Sequence, residues 1–206
     1  MPFPPECSFG RQIDKSDSSP QNFLLHLQEC PAYDGPVLLK EPAHERLTNA
    51  RIAQLHNEYA ISHLLAQLPG VRPVYAIDGS ESHPILILEY IEGNSLAQLI
   101  EGQSLDLSQK LQLAVQIATI LGHIHEEGVI HRDISSSNIL VSVDGSPGEP
   151  GGVTLIDFDL ATTVRQKEFS SPVAADVAAG RLAYISPEQT SRLKHWTRNS
   201  LPSLVT

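Results

Sequence analysis

The chain predicts an α+β fold in two parts, the first rich in strands and the second more helical. Three observations carry this reading. Four short apolar runs before residue 92 have the length and composition of strands, and one helical pattern sits among them. The clearest amphipathic helix lies after residue 105, followed by only two further short strands. A polar stretch, EGNSLAQLIEGQS at 92–104, separates the two parts.

In chain order, FLLHLQ (23–28) and PVLLK (36–40) are apolar runs joined by the turn-forming PAYDG, the pattern of a hairpin. Helical spacing of Leu55, Ile61, Leu65 and Leu68 predicts a helix over 49–68, stopped by Pro69 and Gly70. VRPVYAI (71–77) and PILILEYI (84–91) flank the polar turn DGSESH. Beyond the break, Asp106 or Ser108 can cap a helix whose apolar face is Leu107, Leu111, Ala114, Ala118 and Leu121, with Gly128 closing it. NILVSV (138–143) and GVTLIDF (152–158) then read as strands across the loop DGSPGEPG. Neither internal repeats nor heptads are present, which argues against a solenoid.

Composition narrows the function. At 206 residues and 41% hydrophobic content the chain can bury a substantial core. Its 24 acidic and 14 basic side chains give a net charge of −10, which argues against a broad nucleic-acid or anionic-membrane surface. The longest apolar run, ILIL at 85–88, is far short of a bilayer span, and the N-terminus lacks the pattern of a secretion signal. Two cysteines, Cys7 and Cys30, are too few for a disulfide framework and suit a reducing compartment, so a cytoplasmic location is expected.

Phosphoryl transfer requires cations to hold the phosphates, oxygen ligands for magnesium and a carboxylate to orient the attacking hydroxyl. The chain offers Lys40 at a strand end, Glu58 on the next helix as its partner, Asp133 for the hydroxyl, and Asn138 and Asp157 for metal. Singly, each has a plainer reading as an exposed lysine, a solvated glutamate or a turn-capping aspartate. Their order and spacing favour chemistry.

The ordered set VLLK (37–40), Glu58, HRDISSSN (131–138), IDFDLAT (156–162) and SPE (186–188) resembles the protein kinase family. The resemblance implies a two-lobed kinase-like fold: a β-rich N-lobe over 8–91 and a truncated helical C-lobe over 92–190, followed by an atypical tail at 191–206. It further implies ATP and Mg2+ as cofactors, with transfer of the γ-phosphate to a protein serine or threonine hydroxyl. Lys40, Leu88, Glu89, Ile91 and Leu140 are then assigned to nucleotide binding, LEYIEG (88–93) standing where the adenine edge would be held. Lys40, Glu58 and Asp133 are catalytic, and Asn138 and Asp157 are metal ligands. GRLAYISPEQTSR is similar to the kinase-like domain at the front of large bacterial and fungal multidomain sensor proteins, so further domains of such a protein join protein substrates and signalling proteins as expected partners. Small-molecule phosphotransferases of the same fold are the near rival; Arg132 and the SPE motif favour the protein kinase branch.

Several positions depart from the family pattern. Gly10 is the one glycine between Ser8 and Gln28, so the glycine-rich loop is missing, and Leu38 is bulky where a small residue usually faces adenine. Asp159 replaces a glycine and is read either as an extra magnesium ligand or, preferably, as a solvent-facing residue on a stiffer backbone. Ser135 stands where a phosphate-neutralising lysine is usual, and Arg181 stands where its threonine partner would be. Arg181 either supplies the missing cation or faces solvent. The 18 residues after Glu188 do not read as the usual aspartate-bearing helix, which suggests a fragment, a frame-shifted end or a degenerate paralogue with exposed apolar surface. These departures leave a non-catalytic regulatory or interaction module as the competing class. His123, His125 and His131 are read as structural, and Thr162, Thr163, Ser170 and Ser171 as candidate phosphosites facing Arg132.

Overall fold

The structure is a computed structural model that describes residues 23–33, 35–43, 47–142 and 152–164. The N-terminal stretch up to residue 22, Arg181, Ser170, Ser171, the SPE motif and the tail lie outside the described residues.

Strands β1 (Phe23–Cys30) and β2 (Gly35–Pro42) form the expected hairpin, joined by a single 3-10 turn at Pro31–Tyr33. With β3 (Val74–Ser80) and β4 (His83–Glu89) they make an antiparallel sheet in the order β1-β2-β4-β3. Along β2 the side chains alternate, so Leu38 and Lys40 share one face while Val37 and Leu39 take the other. The first face joins Leu25, Leu86 and Leu88 beneath helix α1 (Asn49–Leu64), whose Leu55 completes the cluster. Val37 and Leu39 pack on the opposite face with Cys30 and Ile87. Cys30 is itself disulfide-bonded, so the cysteine count gives no reading of the redox compartment.

Helix α1 starts at Thr48, whose side chain accepts from the Arg51 amide, and its buried stripe includes Leu55, Glu58 and Ile61 at helical spacing. It ends four residues before the expected limit, in turns that carry Leu65 and Leu68 to Gly70. Gly70 has φ +82°, which favours glycine at the turn, and a Cβ there would stand 2.4 Å from Ile120 Cδ1 and force that side chain to shift. From this turn the chain runs beside a strand of the second part: Leu155 N donates to Gly70 O at 2.8 Å, and Arg72 N donates to Leu155 O at 3.1 Å.

The stretch expected as a bare break holds β5 (Gly93–Ser95) and α2 (Leu96–Glu101), with Ser95 and Gln98 forming a capping box. Asp106, not Ser108, caps helix α3 (Leu107–Glu126): its carboxylate accepts from Gln109 N at 2.8 Å and Gln109 Oε1 accepts from Asp106 N at 2.9 Å. Gly128, at φ +71°, follows the helix as expected.

The buried face of α3 differs from the expected one. Leu113, Ile120 and Ile124 enter the core, with Ile117 and Leu121 beside them, whereas Leu107 and Leu111 are 73% and 60% exposed. Ala114 and Ala118 are exposed as well. The helix is apolar on more than one side, so two stripes satisfy the same period. Packing against Gly70, β6 (Val129–Ile130) and the strands below decides between them. Strands β7 (Ile139–Ser142) and β8 (Val153–Leu155) pair beside β5, and β9 (Thr162–Thr163) pairs with β6. The second core unites Leu113, Ile120 and Ile124 with Ile139, Val153, Leu155 and Phe158, and also includes Ile61, Leu65 and Val71 from the first part.

Candidate active site

Lys40 points from β2 toward α1 because its register position shares the face of Leu38. Its Nζ donates to Glu58 Oε2 at 2.5 Å and to Asp157 Oδ1 at 2.6 Å. Both ends of the Lys40–Glu58 pair are buried. Burial opposes the lysine's charge, but Asp157 and Glu58, with Asp159 behind them, more than compensate and raise its pKa above the ordinary lysine value. Burial raises the Glu58 carboxyl, and Lys40 acts against that rise. The Phe23 ring covers the ammonium from another side, its centroid 4.6 Å from Nζ.

Asp157 follows β8 in a left-handed conformation, φ +71°, that few non-glycine residues adopt. Two neighbours hold the surrounding loop. His131 is buried, packs against Phe158 with the rings tilted at 46° and their centroids 4.5 Å apart, and contacts Ile156 O through Nε2 at 3.1 Å. Its Nδ1 accepts from Asp133 N at 3.4 Å, which assigns the proton to Nε2, and burial lowers its pKa in keeping with a neutral ring. Asn57, one residue before Glu58, directs Nδ2 at the carbonyls of Phe158, Asp159 and Ala161, at 3.4, 3.1 and 2.9 Å.

Asp133 and Asn138 form a second unit. Asn138 Nδ2 donates to Asp133 Oδ2 at 2.8 Å and to Asp133 O at 2.9 Å, across the 3-10 turn Ser136–Asn138. With Nδ2 so engaged, the planar amide turns Oδ1 away from Asp133. Ile156 N donates to Asn138 O at 3.0 Å, which anchors this loop one residue before Asp157. The five polar residues singled out in the sequence therefore lie in two units joined by short links. Carboxylate and amide oxygens from Asp157 and Asn138 are hard donors of the kind magnesium takes alongside phosphate and water.

Leu88 is buried opposite Leu38 and Val74, and Glu89 N donates to Pro73 O at 3.1 Å. Ile91 is half-buried in the connection to β5, which pairs with β7 and sets Leu140 opposite Ser95. Ser135 is 2% exposed and so lies inside the loop, not at its surface.

Asp159 differs from the preferred reading. It is half-buried, and burial first, then Asp157, push its carboxyl up from 3.8 to about 8 against the pull of Lys40. Three further residues went unnoticed in the sequence: Phe23, Asn57 and Arg72. Arg72 is buried, its Nε has no hydrogen-bond partner among the described residues, and its charge is opposed by burial but favoured by Glu58, Asp157 and Glu89. Their residue types carry no motif; only adjacency to Glu58 set Asn57 apart.

A strand lysine held by a helix carboxylate, beside an aspartate-asparagine loop and a second aspartate, is the set of groups that phosphoryl transfer calls for. The chain belongs to the protein kinase family, its residues 33–200 matching the protein kinase domain. It is 30% identical over 179 residues to "Serine/threonine-protein kinase pkn2" of Myxococcus xanthus, a match covering 87% of this chain and 21% of that protein. "Serine/threonine-protein kinase A" of Synechocystis is 32% identical over 173 residues, 78% of this chain and 32% of that protein. "Serine/threonine-protein kinase PknL" of Mycobacterium tuberculosis is 32% identical over 145 residues, 70% of this chain and 31% of that protein. The matched region thus spans a third or less of each relative's own length.

Proposed function

We propose that this chain provides the ATP-handling part of a protein serine/threonine kinase. The observation that carries the reading is the Lys40 ammonium bridging Glu58 and Asp157, with the Asp133–Asn138 pair anchored one residue from Asp157. Magnesium, when bound, supplies charge neutralisation on the phosphates. Lys40 binds phosphate oxygens, and Glu58 keeps its ammonium in place. Asp157 and Asn138 are the metal ligands, and Leu88, Glu89, Ile91 and Leu140 receive the base. Asp133 orients the acceptor hydroxyl and takes its proton as the new O–P bond forms and the bond from the γ-phosphorus to the ADP oxygen breaks. The resemblance of GRLAYISPEQTSR to sensor-protein kinase domains supports signalling proteins, and further domains of a larger sensor, as partners. Among the described residues no helix is long and apolar enough to cross a membrane.

A second reading, a nucleotide-binding regulatory module without transfer, is favoured by two observations: Phe23 over the Lys40 ammonium and a buried Ser135 where a cation is usual. The deciding experiment measures MgATP binding and phosphate transfer to a protein acceptor for the wild type, Lys40→Met and Asp133→Asn. Transfer lost in Asp133→Asn with binding retained supports the kinase. Binding without transfer in the wild type supports the module, and no binding overturns both.

A further inference from the structure

We propose that Asn57 is a positioning residue for Asp157, fastening the metal-binding loop to helix α1. The proposal deepens the nucleotide-binding reading and rests on it. Asn57 and Glu58 are consecutive on α1, and each reaches the loop by a different route. Glu58 reaches it through Lys40, which donates to Asp157 Oδ1 at 2.6 Å. Asn57 reaches it directly, its one amide nitrogen lying within 3.4 Å of three carbonyls, those of Phe158, Asp159 and Ala161. Two N–H groups shared among three acceptors make a bifurcated clasp, and a carbonyl oxygen or a carboxylate at this place could not form it.

The loop has need of such a clasp. Asp157 is held at φ +71°, a conformation that persists where the surroundings over-determine it. Its carboxylate has Lys40 as one hydrogen-bond donor, and any phosphate that engages Lys40 competes for that contact. The Asn57 bonds do not involve Lys40, so they keep the backbone after Asp157 in place when the ammonium turns to another partner. The turn around Asp159 thereby follows α1: a displacement of the helix that separates Glu58 from Lys40 also pulls on residues 158–161. The helix and the loop act as one body in preparing the site.

The test uses the full chain and the variants Asn57→Leu, which keeps the size and removes the donors, Asn57→Asp, which turns the donor into an acceptor, and Asn57→Gln, which keeps the donors. Amide hydrogen exchange of residues 158–163 in ligand-free protein is measured first, with α3 as reference. Thermal stabilisation is then titrated with magnesium at fixed ATP, and with adenosine alone. Leu and Asp are expected to speed exchange in 158–163 and raise the half-saturating magnesium about tenfold, as for loss of about 1.4 kcal/mol of hydrogen bonding. Adenosine stabilisation is expected to stay unchanged and Gln to recover much of the magnesium response. Unchanged exchange in both variants overturns the clasp, and faster exchange with an unmoved magnesium midpoint overturns the positioning role. If wild type responds to neither adenosine nor MgATP, the nucleotide-binding reading falls and the Asn57 role falls with it.

Discussion

The ring of Phe23 and the ammonium of Lys40 face each other at 4.6 Å, so the cation proposed to bind phosphate already has an aromatic cover as well as two carboxylates. A cation over a ring in a largely desolvated place is held by on the order of 1–2 kcal/mol. An incoming phosphate must displace that contact. Phe23→Leu keeps the apolar packing with Leu25 and removes most of the attraction, so MgATP is expected to bind about tenfold tighter while adenosine affinity stays the same. Calorimetric titration of both ligands checks this, and equal effects on both would assign Phe23 to packing alone.

Removing Lys40 should cost stability because it leaves Glu58 buried and Asp157 without its ammonium. Lys40→Met is expected to lower the unfolding free energy by about 3 kcal/mol near neutral pH. Protonating the abandoned carboxylates relieves the loss, so the gap between mutant and wild type should narrow as pH falls. Urea denaturation at several pH values measures it. In the wild type the raised Lys40 pKa places its contribution fully below the unfolded value of 10.5 and loses it only as pH climbs through the higher folded value.

Asp159 works in the opposite direction. Its folded pKa of about 8 lies above the unfolded 3.8, so between these values the folded state holds the proton more strongly and stability falls as pH rises. Asp159→Asn removes that penalty. The variant should match wild type near pH 4 and exceed it at pH 8.5, by on the order of 1 kcal/mol once solvent screening of this half-buried group is allowed for. Thermal unfolding across that range tests it, and a constant difference at all pH values would sink the account.

The two stripes of α3 can be separated by truncation. Ile124→Ala should cost about 2–4 kcal/mol because it opens a cavity among Leu113, Val129 and Phe158, whereas Leu111→Ala, on the exposed stripe, should change stability by less than about 0.5 kcal/mol. Equilibrium denaturation of both variants distinguishes the faces.

The sequence was most informative where chemistry fixes residue type and spacing. Lys40, Glu58, Asp133, Asn138 and Asp157 stand in a recognisable order, and the structure gathers them into two linked units. Two apolar runs around the turn-forming PAYDG likewise located the β1–β2 hairpin, and the alternation along β2 turns Lys40 toward α1. The reading failed where several answers satisfied one pattern. Helix α3 offers two apolar stripes, and Leu107 and Leu111 look as suitable as Leu113 and Ile124 until the neighbouring elements are in place. Asp159 was read as solvent-facing, whereas it is half-buried near Asp157, where protonation lowers the cost of two neighbouring carboxylates. Phe23 and Asn57 were invisible for a different reason: a lone phenylalanine or asparagine acquires meaning only from the partner that folding sets before it.

The ladder between Gly70, Arg72 and Leu155 means that the first part of the chain supplies a rung to the second, while Ile61, Leu65 and Val71 fill the other part's interior. The boundary drawn at residue 92 is therefore a change of architecture and not a seam. Cut there, the pieces would be expected to cling together like the halves of a split reporter. Neither half would be a tidy module for grafting, and swapping one lobe between relatives would import a mismatched interior along with it.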